Sequence, residues 1–166
     1  MVSAVFSIRL PRRTARGARR RIHGFTLTEL MFVVTIFAVL VSLALPSYNQ
    51  FVRNQRVKTA SFEVFSSLMQ ARSEAITRNA SVTMAPVSGN WANGWTVTDA
   101  GGTVLREQQA VAAVTLTGPT NVIYNGSGRL GSASGSFELT ATGSGITSRC
   151  ITIDLSGRPV TKAAAC

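Results

Sequence analysis

Hydrophobic and polar positions divide the chain into four stretches. Residues 1–23 have no apolar periodicity and are rich in arginine. From Phe25 to Leu45, 21 residues run without a Lys or Arg and with one acid, Glu29. Farther on, Val57, Val64, Phe65, Leu68, Ala71, Ala75 and Ile76 recur as one apolar stripe at the helical period of about 3.6. After Ser81 the pattern changes to short, partly alternating runs separated by Gly, Asn, Ser and Pro.

The second stretch predicts a helix. At about 1.5 Å per residue it reaches about 31 Å, enough to cross a hydrocarbon core of about 30 Å. Pro46 ends the apolar run; inside a helix it removes one hydrogen bond and kinks the axis, a defect membrane helices tolerate. The stripe beyond it predicts that the helix resumes and ends at Arg78-Asn79-Ala80-Ser81, with a cation in its last turn and Asn as cap. That second half has one apolar face, which needs a cover.

The short runs supply it. Strands are predicted at Ser81–Ala85, Trp95–Thr98, Thr103–Gln108, Val111–Leu116, Asn121–Tyr124, Phe137–Thr142, Arg149–Leu155 and Val160–Lys162. Asn93-Gly94 reads as a tight turn leading into Trp95. The Gly/Ser-rich stretch Asn125–Ser136 reads as a mobile loop. In Arg149–Leu155, strict alternation places Ile151, Ile153 and Leu155 on one face. The expected fold is α+β: a long N-terminal helix, membrane-spanning in its first half, packed against a small antiparallel β-sheet domain. The expected divisions are a basic leader at 1–24, the spanning half at 25–45, the amphipathic half at 46–79 and the β domain at 80–166.

Charge sharpens this picture. The net charge is +10, yet residues 1–24 hold seven Arg and no acid, and the remainder holds ten Lys+Arg against seven Asp+Glu, 10 − 7 = +3. A basic leader beside an apolar span follows the positive-inside rule, with the N-terminus cytoplasmic and residues 47–166 outside. A nucleic-acid-binding arm is the alternative for the leader. A cleaved secretory signal and an uncleaved signal anchor are alternatives for the span, although 21 apolar residues is long for the first and Glu29 is hard to explain in either. An ionisable residue inside an apolar span marks a candidate functional site.

Cys150 and Cys166 both fall in the last 17 residues. If this part of the chain is exported, they form a disulfide that staples the C-terminus; the alternative is two separate thiols. Catalysis is the least supported class. His23, the only histidine, lies in the leader, no carboxylates are paired by spacing, and no phosphate-binding loop is present. No catalytic residue, metal or cofactor is expected.

Gly24-Phe25-Thr26-Leu27-Thr28-Glu29 resembles the GF-x-x-x-E processing site of type IV pilins and type II secretion pseudopilins. That resemblance implies cleavage by prepilin peptidase between Gly24 and Phe25, and N-methylation of Phe25. It also makes Glu29 the fifth mature residue and Pro46 the helix-kinking proline. The leader departs from it: 24 residues is long for this class, which points to a start later than Met1. Trp91-Ala92-Asn93-Gly94-Trp95-Thr96-Val97-Thr98-Asp99 is similar to the W-x-x-G-W-x-V-x-x-D pattern of H-type pseudopilins and FimT-type minor pilins, with one residue fewer before the Asp. Both tryptophans are expected to pack the hairpin against the helix.

The function implied is a minor pilin or pseudopilin, a structural subunit of a type IV pilus or a type II secretion system. Its partners would be other pilin subunits, prepilin peptidase and the bacterial inner membrane, with the β domain periplasmic. In the filament, Glu29 would pair with the free amine of an adjacent subunit and fix the register. The alternative is DNA binding during uptake, through a Gly-Arg-x-Arg element near the C-terminus. Gly157-Arg158-Pro159-Val160 keeps its Gly-Arg and has Val160 in place of the second Arg. The candidate DNA-binding residues are Arg158, Lys162, Arg149 and Arg129, against the reading that they are solvated loop charges.

Overall fold

A computed structural model describes residues 24–131 and 133–166. The leader expected at 1–24 lies outside the described residues, except Gly24. The chain divides between Val39 and Leu40 into two compact units, and helix α1, Leu27–Arg78, contributes to both.

In the first unit the helix begins where a capping residue permits it. The Glu29 N–H donates to Thr26 Oγ1 at 3.2 Å, so Thr26 satisfies one of the orphan donors of the first turn. Glu29, three residues on, occupies the acidic position of a capping box. Every described residue of this unit is exposed. Within α1, an 18-residue window has a mean hydropathy of 2.4, so the helix is long and apolar enough to cross a membrane.

In the second unit, Pro46 lies inside α1 without ending it. The buried face comprises Val57, Ala60, Ser61, Val64, Ser67, Leu68, Ala71 and Ala75. The expected stripe is there, but small residues widen it and allow close approach, while Ile76 falls outside and is exposed. The helix stops in a Schellman arrangement. Asn79 adopts φ 47°, its N–H donates to Ile76 O at 3.2 Å, and the Ala80 N–H donates to Ala75 O at 3.2 Å. Asn tolerates this left-handed conformation better than most non-glycine residues.

Two four-stranded antiparallel sheets form the rest. The first has the order β3-β2-β1-β5, from Val104–Gln108, Trp95–Asp99, Val82–Pro86 and Val122–Tyr124. The second has the order β4-β6-β7-β8, from Thr115–Thr117, Gly135–Thr140, Arg149–Ile153 and Pro159–Lys162. One buried cluster joins both sheets to the helix, with Met84, Trp95, Val97, Tyr124, Phe137, Leu139 and Ile151 facing Val57, Val64 and Leu68. The loop after β6 also grips the helix: Gln50 Nε2 donates to Gly145 O at 2.8 Å, the Thr147 N–H donates to Asn54 Oδ1 at 2.9 Å, and Arg53 bonds to Thr142 O.

The cover is the antiparallel β-sheet domain expected, divided between two sheets. Other sequence expectations are corrected here. Val111–Leu116 is not a continuous strand: Ala112 and Ala113 turn, with Ala113 at φ 61°, and only Thr115–Thr117 pairs. Ala112 and Ala113 lack the β-branching that favours a strand, and the Val111 N–H is already donated to Ala92 O at 2.9 Å. Asn93-Gly94 does turn the chain into Trp95, closing the 3₁₀ turn Trp91–Asn93, so β1 and β2 are joined by a structured connection over 87–94. Leu155 does not continue the buried face of β7, because the strand ends at Ile153 and Asp154 opens a turn; its side chain is exposed.

Cys150 on β7 and Cys166 are joined as a disulfide, with Cα atoms 5.0 Å apart and 16 residues of separation. β8 pairs with β7, with Lys162 opposite Cys150, so the cross-link fastens the segment beyond the last strand to its neighbour. Closing a loop of this length contributes about 3 kcal/mol in the chain-entropy account. Cys166→Ser is therefore expected to lower the stability of the full chain by about 2–4 kcal/mol, read by urea unfolding in detergent.

Candidate functional site

The structure places the singled-out residues in three groups. The first is the helix start. Gly24, Phe25 and Glu29 are all exposed, Phe25 by 78%. Glu29 sits in the first turn, where the helix dipole favours a carboxylate. The geometry leaves the backbone before Phe25 accessible and puts one anionic group within a turn of it.

The second group is the tryptophan pair. Trp91 and Trp95 are buried, with ring centroids 6.4 Å apart. Trp91 also meets Phe137 edge-on at 4.8 Å, which ties the β1–β2 connection to β6 of the other sheet. Trp91 Nε1 donates to Pro119 O at 2.7 Å, and Trp95 Nε1 donates to Ser67 Oγ at 2.9 Å. Ser67 Oγ in turn donates to Glu63 O at 2.9 Å. Both indoles have their polar ends satisfied inside the protein, so they are packing residues and not an open stacking platform. Ser67 had no signal in the periodicity, since it breaks the apolar stripe; only the need of Trp95 for a buried acceptor points to it.

The third group is basic. Two turns approach each other beside the last turns of α1. In the first, Asn125 Oδ1 accepts from the Ser127 and Arg129 N–H groups, each at 3.1 Å, and the Gly128 N–H donates to Asn125 O at 2.8 Å. This makes the start of the expected mobile loop a fixed turn. In the second, Asp154 Oδ1 accepts from the Arg158 N–H at 3.1 Å and from Ser156 Oγ. Arg72 joins them: its Nε donates to Gly128 O at 2.9 Å and its Nη2 donates to Ser156 O at 3.4 Å. Gly157 makes the approach possible. It has φ 79°, and a Cβ there would lie 2.2 Å from Gly128 O.

Charge follows from these contacts. The Ser156 hydroxyl and the Arg158 amide hold the Asp154 carboxyl below the ordinary range. At the last turn of the helix, the Thr103 and Gly101 amides do the same for Asp99, which Arg78 approaches at 3.5 Å while also bonding Glu74 at 2.9 Å. Beneath the two turns lies Tyr124. Burial pushes its phenol up to about 12, against a smaller opposing effect of Arg72. Its hydroxyl is buried with no hydrogen-bond partner among the described residues. An unsatisfied buried hydroxyl costs about 1–3 kcal/mol, so Tyr124→Phe is expected to leave the fold intact and raise stability by about 1 kcal/mol in a urea titration.

Of the four candidate cations, Arg149 and Arg158 share one open groove of about 420 Å³ with Lys58 and Phe62 of the helix. Arg129 lies on the turn packed against that of Arg158. Lys162 sits at the end of β8, three residues beyond Pro159. Lys58 and Phe62 were not among the sequence candidates, because nothing local marks a helix residue as the wall of a groove formed by β7 and β8.

Comparison with known proteins agrees with this architecture. Residues 60–157 match the family model described as type II transport protein GspH. Residues 19–45 match the prokaryotic N-terminal methylation motif. A probable minor fimbrial protein of Dichelobacter nodosus is 53% identical over 38 residues, which cover 23% of this chain and 24% of that protein. The match thus spans about a quarter of that relative. The fold is similar to crystal structures of the type IV minor pilin FimU of Pseudomonas aeruginosa PAO1. In one crystal form the TM-score is 0.58 at 20% identity, covering 68% of this chain and 92% of that one. In another it is 0.55 at 21% identity, covering 63% and 91%.

Proposed function

The chain belongs to the type II transport protein GspH family, and we propose that it is a minor pilin or pseudopilin that enters a type IV filament through its N-terminal helix. The observation that carries this reading is the helix itself: apolar and exposed through its first unit, and tied at its other end to a two-sheet domain. Such a helix needs cover from a bilayer or from neighbouring subunits. On this reading prepilin peptidase cuts between Gly24 and Phe25 and methylates Phe25. The arginine-rich leader stays cytoplasmic, and the β domain lies outside the inner membrane. Glu29, which has no fixed partner in a bilayer, pairs in the filament with the amine of an adjacent Phe25. The protein itself performs no catalysis.

The test is recovery of the full chain with the filament. In cells expressing it with its own filament genes, the processed chain is expected in sheared filaments or, for a secretion system, in complexes with the other pseudopilins. Recovery only as a free membrane protein while filaments assemble normally would count against the proposal. Deleting the gene separates the two systems, since loss of pili and loss of protein secretion are distinct readouts.

DNA binding is a second reading, supported by Arg149 and Arg158 facing one groove beside the Arg129 turn. It expects duplex DNA to bind the full chain in detergent with an affinity that falls as salt rises. Binding that is unchanged in Arg158→Ala would remove it.

A further inference from the structure

The amphipathic half of α1 carries a second apolar row that the sheets do not cover. Phe62, Met69 and Ile76 are 68%, 41% and 51% exposed. Their spacing of seven residues is close to two helical turns, so they lie on one face. Phe62 opens into the groove shared by Lys58, Arg149, Arg158 and Val160. Exposed Leu155 adds to the same region from the turn beside Arg72. Exposed apolar residues on one face, rimmed by polar groups, mark an interaction site. Its composition, aromatic, Met and Arg with an apolar centre, is that of a protein interface core. A surface built only to follow phosphates would need the cations without the apolar row.

Charge narrows the occupant. The rim holds Lys58, Arg149 and Arg158, and the nearby Asp154 is committed to its own turn through Ser156 and the Arg158 amide. Residues 40–166 carry ten Lys+Arg and six Asp+Glu, 10 − 6 = +4. Glu63, Glu74 and Asp99 are already held by Arg106 and Arg78. A second copy would therefore bring like charge to a cationic groove, whereas an acidic partner would be attracted. We propose that this face docks a segment of a neighbouring, different filament subunit, one that presents an apolar row flanked by carboxylates. The proposal rests on the reading of this chain as a filament subunit and adds the surface and the chemistry of its neighbour.

Photo-crosslinking tests it in the full chain, expressed with its filament genes, with benzoylphenylalanine placed at Phe62 or at Val160, and at Glu107 on β3 as control. The expected result is an adduct from Phe62 and Val160, and none from Glu107, to a different pilin-type subunit at a peptide containing Asp or Glu. Arg149→Glu with Arg158→Glu is expected to lower adduct yield about tenfold, and changing the acids of the crosslinked peptide to Lys is expected to restore it. Formation of the Cys150–Cys166 disulfide in each variant reports folding. Adducts to a second copy of this chain, to DNA or to lipid would overturn the proposal, as would adducts unaffected by charge reversal. Absence of any adduct while the chain is still recovered in filaments overturns the docking face alone; absence of the chain from filaments overturns the filament reading itself.

Discussion

Replacing Trp95 by alanine is expected to lower the stability of the β domain by about 3–5 kcal/mol. That is a large part of the 5–15 kcal/mol typical of a natural domain. The side chain is fully buried between the tryptophan-containing connection and the helix. Truncation leaves a cavity where close packing gave dispersion contacts, and it takes a donor from Ser67 Oγ. Trp95→Phe is milder. It keeps an aromatic six-membered ring and loses the Nε1 bond with a smaller part of the packing, so a smaller cost of about 1–2 kcal/mol is expected. Urea unfolding of the full chain in detergent, followed by the fluorescence of Trp91, measures both. A cost below about 1 kcal/mol for Trp95→Ala would mean that the indole does not organise the helix–sheet contact.

Replacing Glu29 by leucine is expected to abolish recovery of the chain in filaments while leaving its membrane level unchanged. On insertion scales an acid deep in a bilayer costs on the order of 2.5–3.5 kcal/mol, so leucine anchors at least as well. The backbone cap from Thr26 to the residue 29 amide also survives the change. What leucine removes is the one negative charge near the new N-terminus. On the proposed reading, that charge and a neighbour's amine would offset each other's burial in a filament core and set the axial register. Glu29→Asp keeps the charge on a shorter arm, and an intermediate level of incorporation is expected. Wild-type incorporation of Glu29→Leu, measured by quantitative blotting of sheared filaments, would show that the pairing is dispensable.

These two residues also mark how far the sequence could be read. Glu29 stands out without a structure, because an acid in an otherwise apolar run of 21 residues is costly to hold in a bilayer. The helix is legible for the same reason: long apolar runs and a period of 3.6 are strong signals. Its end at Arg78-Asn79 follows from local capping chemistry. The strands were legible wherever β-branched residues clustered, as in Val122–Tyr124 and Arg149–Ile153. They were not legible where tertiary contacts decide, as in the alanine run that turns at Ala112-Ala113 because the Val111 amide bonds across to Ala92. Local sequence also says little about how strands distribute between sheets, so their division into two sheets is visible only in the fold.

The basic site shows the same division. Arg149 and Arg158 were found by their charge. Lys58 and Phe62 were not, because they are nearly one hundred residues away in sequence and ordinary members of a helix. Arg72 looked like a solvated face residue and instead fastens the Gly128 and Ser156 turns. Asn125 looked like part of a loose Gly/Ser segment and instead accepts several hydrogen bonds within its own turn. In both cases the deciding interaction is a hydrogen bond that no spacing rule anticipates.

On the proposed reading, this chain becomes a filament subunit through processing at the junction of leader and helix. The most direct measurement is the mass of the N-terminal peptide of the full chain recovered from cells containing prepilin peptidase. The account predicts a peptide that begins at Phe25 and carries one added methyl group on its α-amine. It also predicts that this peptide disappears when the peptidase is removed. A peptide that retains Gly24 or any residue before it, or one that begins farther along the apolar run as cleavage of a secretory signal would leave it, would contradict it.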